Sequence, residues 1–387
     1  MMIKRSIFWG RGMVWSMLLL LWFGGYNAFA QDKGSAKTYS PVLTGAPILS
    51  ITPDARSAGM GEVGLTTTAD AHSIYHNISK LAFINKEWGV SFVYTPWLSE
   101  VTRDINLSTL TGYYSWGNTG RINHALSASV RYFHIGEAMA FQRETLIPLT
   151  IVPYELAMDL GYSIALNKHW ALGASLRYLK SDYNYSVDDI KGVVNNFLVD
   201  ISATYQTDIS LPNEMKGVLR SAIAFNNVGN KMSYDGGRSY LFAPAVMRIG
   251  VGMDLEAAPQ HRVGLHLEAN KLMAPTYNPS DRNAPDGYNQ MNMWSAMGGS
   301  FTDAAGGASE EFKEVMWLVG AEYTYDDRLF VRSGYHYQHP SKGTNSGFTL
   351  GLGFIYEWAK VDLSYMLATQ ANSPLNNTFR LGVGINF

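Results

Sequence analysis

The sequence predicts an all-β fold, a transmembrane antiparallel β-barrel of about fourteen strands behind an N-terminal plug segment. Three observations predict it. Apolar residues recur with period two from Trp88 to Phe387, connections between the alternating runs are by turns short and long, and aromatics stand at the ends of runs.

Composition agrees. Charged residues make up 16% of the 387, below the roughly 25% usual in soluble proteins, and aromatics make up 13%. Mean hydropathy is -0.08, too low for helices that each need about 20 consecutive apolar residues to span a bilayer. A barrel has no such need, because only alternate residues of a strand meet lipid. A net charge of -2 gives no basic surface for nucleic acid. The absence of cysteine excludes disulfides, thiolate metal ligands, a cysteine nucleophile and a lipid-modified N-terminal cysteine.

Three regions follow. Residues 1–30 read as a signal peptide: Lys4, Arg5 and Arg11 precede the apolar stretch Val14–Phe23, and Ala28-Phe29-Ala30 offers a cleavage site before Gln31. That stretch is too short to span comfortably, so export to the outer membrane of a diderm bacterium is expected. Residues 31–86 carry Pro41, Pro47 and Pro53, which break any long strand. They are also too few for an easy independent core. Their apolar residues argue for placement inside the barrel as a hatch, with a short helix over 69–83 capped by Asp70. Gly59-Met60-Gly61 and Gly64 allow close backbone packing there.

Residues 87–387 form the barrel. In 262–270, Val263, Leu265, Leu267 and Ala269 share one face, while Arg262, Gly264, His266, Glu268 and Asn270 share the other. In the last run, Phe379, Leu381, Val383, Ile385 and Phe387 oppose Arg380, Gly382, Gly384 and Asn386. Strands are expected near 88–94, 104–114, 124–133, 154–166, 170–180, 196–207, 218–226, 245–256, 261–270, 315–325, 329–337, 347–356, 359–367 and 378–387. An even count closes the sheet without an edge, as lipid demands. Tyr94, Tyr113, Tyr132, Tyr178, Tyr205, Tyr325, Tyr337 and Tyr356 are candidates for the interfacial girdles. Long loops are expected at 134–153, 181–195, 227–244 and 271–314, with short turns and both termini on the opposite, periplasmic side.

The hatch segment carries a resemblance. Asp54-Ala55-Arg56-Ser57-Ala58-Gly59-Met60-Gly61-Glu62-Val63-Gly64 and Thr68-Ala69-Asp70-Ala71 look like the hatch of FadL-like outer-membrane barrels. Within that superfamily, Pro47 to Arg56, Val90 to Leu98, Asp104-Ile105-Asn106-Leu107 and Arg131-Tyr132-Phe133 resemble the PorV family of the type IX secretion system. The resemblance runs through the whole chain after residue 30. One departure is Asn77-Ile78-Ser79, where FadL-type hatches usually carry Asn-Pro-Ala. The resemblance implies a receptor without chemistry of its own. It would bind the C-terminal signal domain of cargo at the translocon barrel, then pass cargo to an attachment complex holding a PorU-type sortase.

Two loops offer apolar side chains for such partners. Residues 134–153 hold Met139, Phe141, Leu146, Ile147, Leu149, Ile151 and Val152, an exposed run of the kind that marks a partner surface. Residues 271–314 add Met273, Met291, Met293, Trp294 and Met297, adaptable side chains suited to varied partners. Catalysis is not expected: there is no Gly-x-Ser-x-Gly elbow and no paired-histidine metal spacing. His266 or Arg262 beside Glu268 reads as lumen polarity, and Asp188-Asp189 and Glu310-Glu311 as solvated loop charges; no cofactor is implied. The alternative function is a FadL-type channel for long-chain or other hydrophobic compounds, with Gly89, Gly161 and Gly173 kinking the wall.

Overall fold

The computed structural model describes residues 41–387 apart from 100–101, 118–121, 142–147, 188–189, 213–214, 277–287, 305 and 371–372. The expected signal peptide lies outside the described residues. Fourteen strands close one antiparallel barrel: β1 (Trp88–Pro96), β2 (Asn106–Gly117), β3 (Asn123–His134), β6 (Tyr154–Ala165), β7 (Trp170–Val187), β8 (Ile190–Ser210), β9 (Lys216–Gly229), β10 (Val246–Ala258), β11 (His261–Leu272), β12 (Val315–Tyr325), β13 (Leu329–Tyr337), β14 (Gly347–Tyr356), β15 (Ala359–Ala368) and β16 (Thr378–Asn386). Each pairs with its neighbour in sequence, and β1 closes the ring on β16, with Val90 opposite Ile385 and Phe92 opposite Val383. Trp88 and Phe387 exchange backbone hydrogen bonds, and their rings stack at 4.7 Å.

Period-two patterning decides which face meets lipid. Val90, Phe92 and Tyr94 point outward, as do Leu265 and Leu267 on β11 and Leu350, Leu352 and Phe354 on β14. The inward rows are polar and buried: Thr109 and Thr111, Ser127 and Ser129, Asp159 and Ser163, His266 and Glu268. This inverts a soluble protein, as a strand with lipid on one side and protein on the other must.

The barrel ends differ. Six connections at one end are short, and Phe387 ends there. At the other end the connections after β3, β9 and β11 are long, and β4 (Ala138–Phe141) and β5 (Pro148–Ile151) form a hairpin inside the first. Of the expected loop at 181–195, the described residues 181–187 and 190–195 are instead sheet. β7 and β8 run on as a paired extension out to Val187 opposite Ile190, with an irregularity between Asp182 and Ser186. Tyr113 leaves the girdle set, because its position on β2 turns it into the lumen, where it is buried.

Residues 47–83 lie in the lumen. They form not the single helix expected over 69–83 but one-turn pieces: Pro47–Ser50 and Ile78–Phe83 in 3₁₀ geometry, Ala55–Ala58 and Ser73–His76 in α geometry. Asp70 caps no helix; its Oδ1 accepts from His72 N, and the turn begins at Ser73. Short turns win because the pieces reach different parts of the ring, Ala55–Ala58 on β14, β15 and β16, Ser73–His76 on β3 and β9, and Ile78–Phe83 on β6, β7 and β8, which a continuous rod would not do. The segment starts at the long-loop end, where Thr44 bridges Phe242, and leaves at the short-turn end through Phe83 and Ile84. The described residues thus enter the lumen at the long-loop end and end at the short-turn end; residues 1–40 lie outside the described residues. Gly161 and Gly173 serve this packing, while Gly89 faces Asn386 and Tyr113 of the neighbouring strands. A Cβ on Gly173 would sit 2.6 Å from Ser79 N, and one on Gly161 3.0 Å from Ile78 Cδ1.

Candidate functional site: the lumen segment and the long-loop end

The lumen segment is held by buried charge. Asp54 caps Ala55–Ala58 by accepting from Ser57 N at 2.7 Å, and its other oxygen meets His76 Nε2 at 2.7 Å. Arg56 uses its whole fork. Nε and Nη2 donate to Glu322 of β12 at 3.1 and 2.8 Å, while Nη1 and Nη2 reach Asp70 and Thr68. Glu322 also accepts from Arg332 Nε at 2.6 Å, and Arg332 continues to Asp362. A planar guanidinium matches a carboxylate in two places at once, so this chain fixes orientation as well as position.

Backbone contacts do the rest. Gly61 adopts φ +67° and donates its N–H to Thr349 Oγ1 at 2.6 Å. Gly59, Met60 and Gly61 press on Gly320, Gly334 and Gly351; a Cβ on Gly334 would lie 2.2 Å from Gly61 N. Gly64 and Leu65 both donate to Glu268 Oε2 at 3.1 Å, and Arg248 holds the other oxygen. Glu268 is thus an anchor for the segment. His266 turns to Thr66 and Arg262 pairs with Asp327, so neither meets Glu268, and both belong to the polar network of the wall and its turns.

At Asn77 the structure supplies what proline gives elsewhere. Its Oδ1 accepts from Ser79 N, which fixes the turn into Ile78–Phe83, and its Nδ2 donates to Leu65 O and Thr204 Oγ1. Lys80 Nζ donates to Gly64 O and Thr67 Oγ1, tying the two halves of the segment together. All six sequence-selected residues, Asp54, Arg56, Gly59, Met60, Gly61 and Asn77, are buried in this contact. The wall residues that hold the segment were not singled out: Glu322 on Arg56, Glu155 on Ile48 N, Arg332 behind Glu322, and Arg248 on His76 and Glu268. Their only signal was a charge on the polar face of an alternating strand.

The loop residues divide differently. Met139 is 75% exposed and Trp294 is 70% exposed. Ile151, Met291 and Met293 are half-buried, and Met273 is buried, contrary to expectation. Met291 packs on the cluster of Phe242, Ala274 and Ala296, which the same loop folds down to cover. Phe141 and Leu149 lie on the small hairpin opposite Pro148 and Ala140, with side chains outside the description. Leu146, Ile147, Asp188 and Asp189 lie outside the described residues. Phe312 joins the exposed set at 63%.

The loop before β12 is clamped by charge. Glu310 and Glu311 are not free in solvent. Lys342 donates to Glu310 at 2.6 Å and to Glu314 at 3.0 Å, and Lys271 donates to Glu311 at 2.9 Å and to Glu314. Asp303, Glu311 and Glu314 bring oxygens within 4.8 Å of one another, and these two ammonium groups balance them. Hydrogen bonds from Lys342 and from Gly306 N hold the Glu310 carboxyl below its usual range. Burial pushes Lys342 down, but its bonds to Glu310 and Glu314 outweigh that and raise it above an ordinary lysine.

A family comparison matches residues 34–279 to "Type IX secretion system protein PorV". The chain belongs to the PorV family. No curated protein matches. Among solved structures, the Ralstonia pickettii toluene transporter TbuX is similar at 12% identity and a TM-score of 0.44, over 86% of this chain and 97% of that one. The P. putida toluene transporter TodX is similar at 10% identity and a TM-score of 0.43, again over 86% and 97%. A Pseudomonas aeruginosa FadL homologue gives 10% and 0.39 over 90% and 99%. Likeness at that level carries no argument here; the fold rests on the strand pairing, and membership on the PorV match. This PorV-family barrel is a type IX secretion system protein of the outer membrane.

Proposed function

We propose that this PorV-family barrel is a cargo receptor, binding the C-terminal signal domain of secreted proteins with its long-loop end. It would take cargo at the translocon barrel and carry it to the surface complex that holds a PorU-type sortase. The observation that carries the reading is apolar surface on the long loops: Met139 and Trp294 stand exposed there, and Phe312 is exposed beside Trp317 at the start of β12. Large side chains left in water on a rigid scaffold mark a partner surface, and a few such anchors carry most of an interface's affinity. With residues 1–30 as a cleaved signal peptide and short turns in the periplasm, these loops face the cell exterior. The lumen segment is a hatch that stays in place while the loops work.

The lumen argues against the alternative channel for hydrophobic compounds. It is crossed by Arg56–Glu322–Arg332–Asp362 and by Glu268, which present charge where a greasy path is needed. The experiment is a gentle-detergent pull-down of the tagged barrel with Met139→Ser, Trp294→Ser and Phe312→Ser combined, beside the triple change Phe141, Leu146 and Ile147 to Ser. Loops tolerate such changes, so the heat-modifiable barrel should persist while cargo and partners no longer co-purify. Cargo retained at wild-type level in both variants overturns the reading.

A further inference from the structure

The β7–β8 extension leaves a sheet edge open at the long-loop end. β9 runs beside β8 only as far as Gly229, opposite Leu198, while β8 continues to Ile190. The hydrogen bond from Gln206 N to His169 O sets the phase of the β7–β8 ladder, and the register is unbroken from there to Val193 opposite Asp182. Antiparallel strands bond at every second residue, so the even-numbered residues of β8 bond to β7. Lys191, Val193, Asn195 and Phe197 therefore turn their N–H and C=O groups to the side where β9 has ended. Phe197 N is met there by Asn196 Oδ1 at 2.9 Å. Among the described residues, no backbone hydrogen bond reaches Lys191, Val193 or Asn195 from that side.

The extension has a second free edge, on β7 beyond Asp182 opposite Tyr154, and it is built differently. There Tyr183 to Tyr185 bulge out, Asn184 takes φ +51°, and the Tyr185 ring fills the place that a Cβ on Gly192 would take. β8 has no bulge over 190–198, no proline in 190–197 and a single charge there, at Lys191. Bulges, prolines and charges are how proteins close an edge they do not use. The outward side chains of the open edge are partly apolar: Phe197 is 63% exposed and Val193 half-buried. We infer that this edge takes up an extended segment of a partner protein as an added strand. The partner's backbone bonds to Val193 and Asn195, and an apolar side chain of it lies over Val193 and Phe197. Only an extended chain repeats donors and acceptors at the spacing of a strand edge, which selects a β-strand over a helix or a lipid headgroup. The inference rests on the reading of the long-loop end as a cargo receptor, and adds the mode of capture.

The test uses the purified full-length barrel and, as probe, a purified cargo protein that carries the C-terminal signal domain. With the probe bound, the amides of Val193 and Asn195 should exchange about tenfold more slowly than in the barrel alone. Val193→Pro removes an N–H that faces the open edge and leaves the bonds to β7 in place. It should weaken the probe about tenfold. Should that variant fail to fold, amide exchange in the wild-type complex decides. Unchanged exchange of both amides in the complex, or wild-type affinity in Val193→Pro, overturns strand addition and leaves the receptor reading standing. A probe that does not bind the wild-type barrel overturns both.

Discussion

Replacing Glu322 with glutamine isolates the buried charge that holds the lumen segment. The carboxylate accepts three hydrogen bonds from two guanidiniums, Arg56 at 3.1 and 2.8 Å and Arg332 at 2.6 Å. Glutamine keeps the shape, one acceptor and no charge. Removing one partner of a buried ion pair costs about 3–5 kcal/mol. Here both arginines keep a second carboxylate, Asp70 at 3.0 Å and Asp362 at 2.6 Å, so the lower end, about 3 kcal/mol, applies. At about 1.4 kcal/mol per decade, the opening equilibrium of the segment shifts by roughly a hundredfold. Hydrogen exchange of the amides from Ser57 to Leu65 reads that equilibrium directly, because Ser57, Gly61, Gly64 and Leu65 donate to lumen acceptors. The control is Asp327→Asn, which breaks the pair with Arg262 at a solvent-exposed site and should change nothing measurable. Amide exchange in Glu322→Gln within threefold of wild type would refute the claim that this network fixes the segment.

Two further outcomes follow from the geometry. Gly334→Ala should expel Met60 and Gly61 from the wall, since the added methyl would meet backbone atoms at 2.2 Å that cannot rotate away; protease cleavage within 55–66 should appear while the heat-modifiable band stays. The loop clamp should have a pH window: the lowered Glu310 contributes stability above the ordinary glutamate range and loses it as pH falls through its folded value, while the raised Lys342 contributes below the ordinary lysine range and loses it as pH rises through its own. Exchange of 306–314, corrected for intrinsic rate, should be flat from about pH 5 to 9 and rise below about pH 4; a steady drift across neutral pH would count against the clamp.

The barrel was legible because its rule is local. Leu265 and His266 fall on opposite faces by alternation alone, and every barrel pairing joins strands adjacent in sequence apart from the closure of β1 on β16 and the step from β3 to β6. The lumen segment was legible as buried, from its apolar content and clustered glycines, but not as a set of contacts. Nothing local relates Arg56 to Glu322, which are 266 residues apart. Gly161 and Gly173 show the same limit. As sequence they read as strand defects, whereas their meaning is the side chain of Ile78 and the backbone of Ser79 arriving from the lumen segment. The 181–195 region misread for another reason: its Asp, Asn and Ser content suggests a loop, but β7 and β8 hold each other out to Val187 once each supplies the other's hydrogen bonds.

The two ends of this molecule are built to different ends. In the lumen, a segment with little regular structure is pinned at Ile48 by Glu155, at Arg56 by Glu322, at Gly61 by Thr349, at Gly64 by Glu268 and at Asn77 by Thr204, on five different strands of the ring. Anchors on that many strands cannot be released by one local event, so the lumen is a poor place for a gate. At the long-loop end the loops are tied down at their bases, by Lys271 and Lys342 on one side and by Asp104 accepting from Glu137 N on another, while Met139, Trp294 and Phe312 remain exposed. A rigid base under exposed apolar side chains lowers the entropy lost when a partner covers them. Recognition therefore belongs on that rim, and the fixed lumen is what keeps the rim in place while large partners come and go.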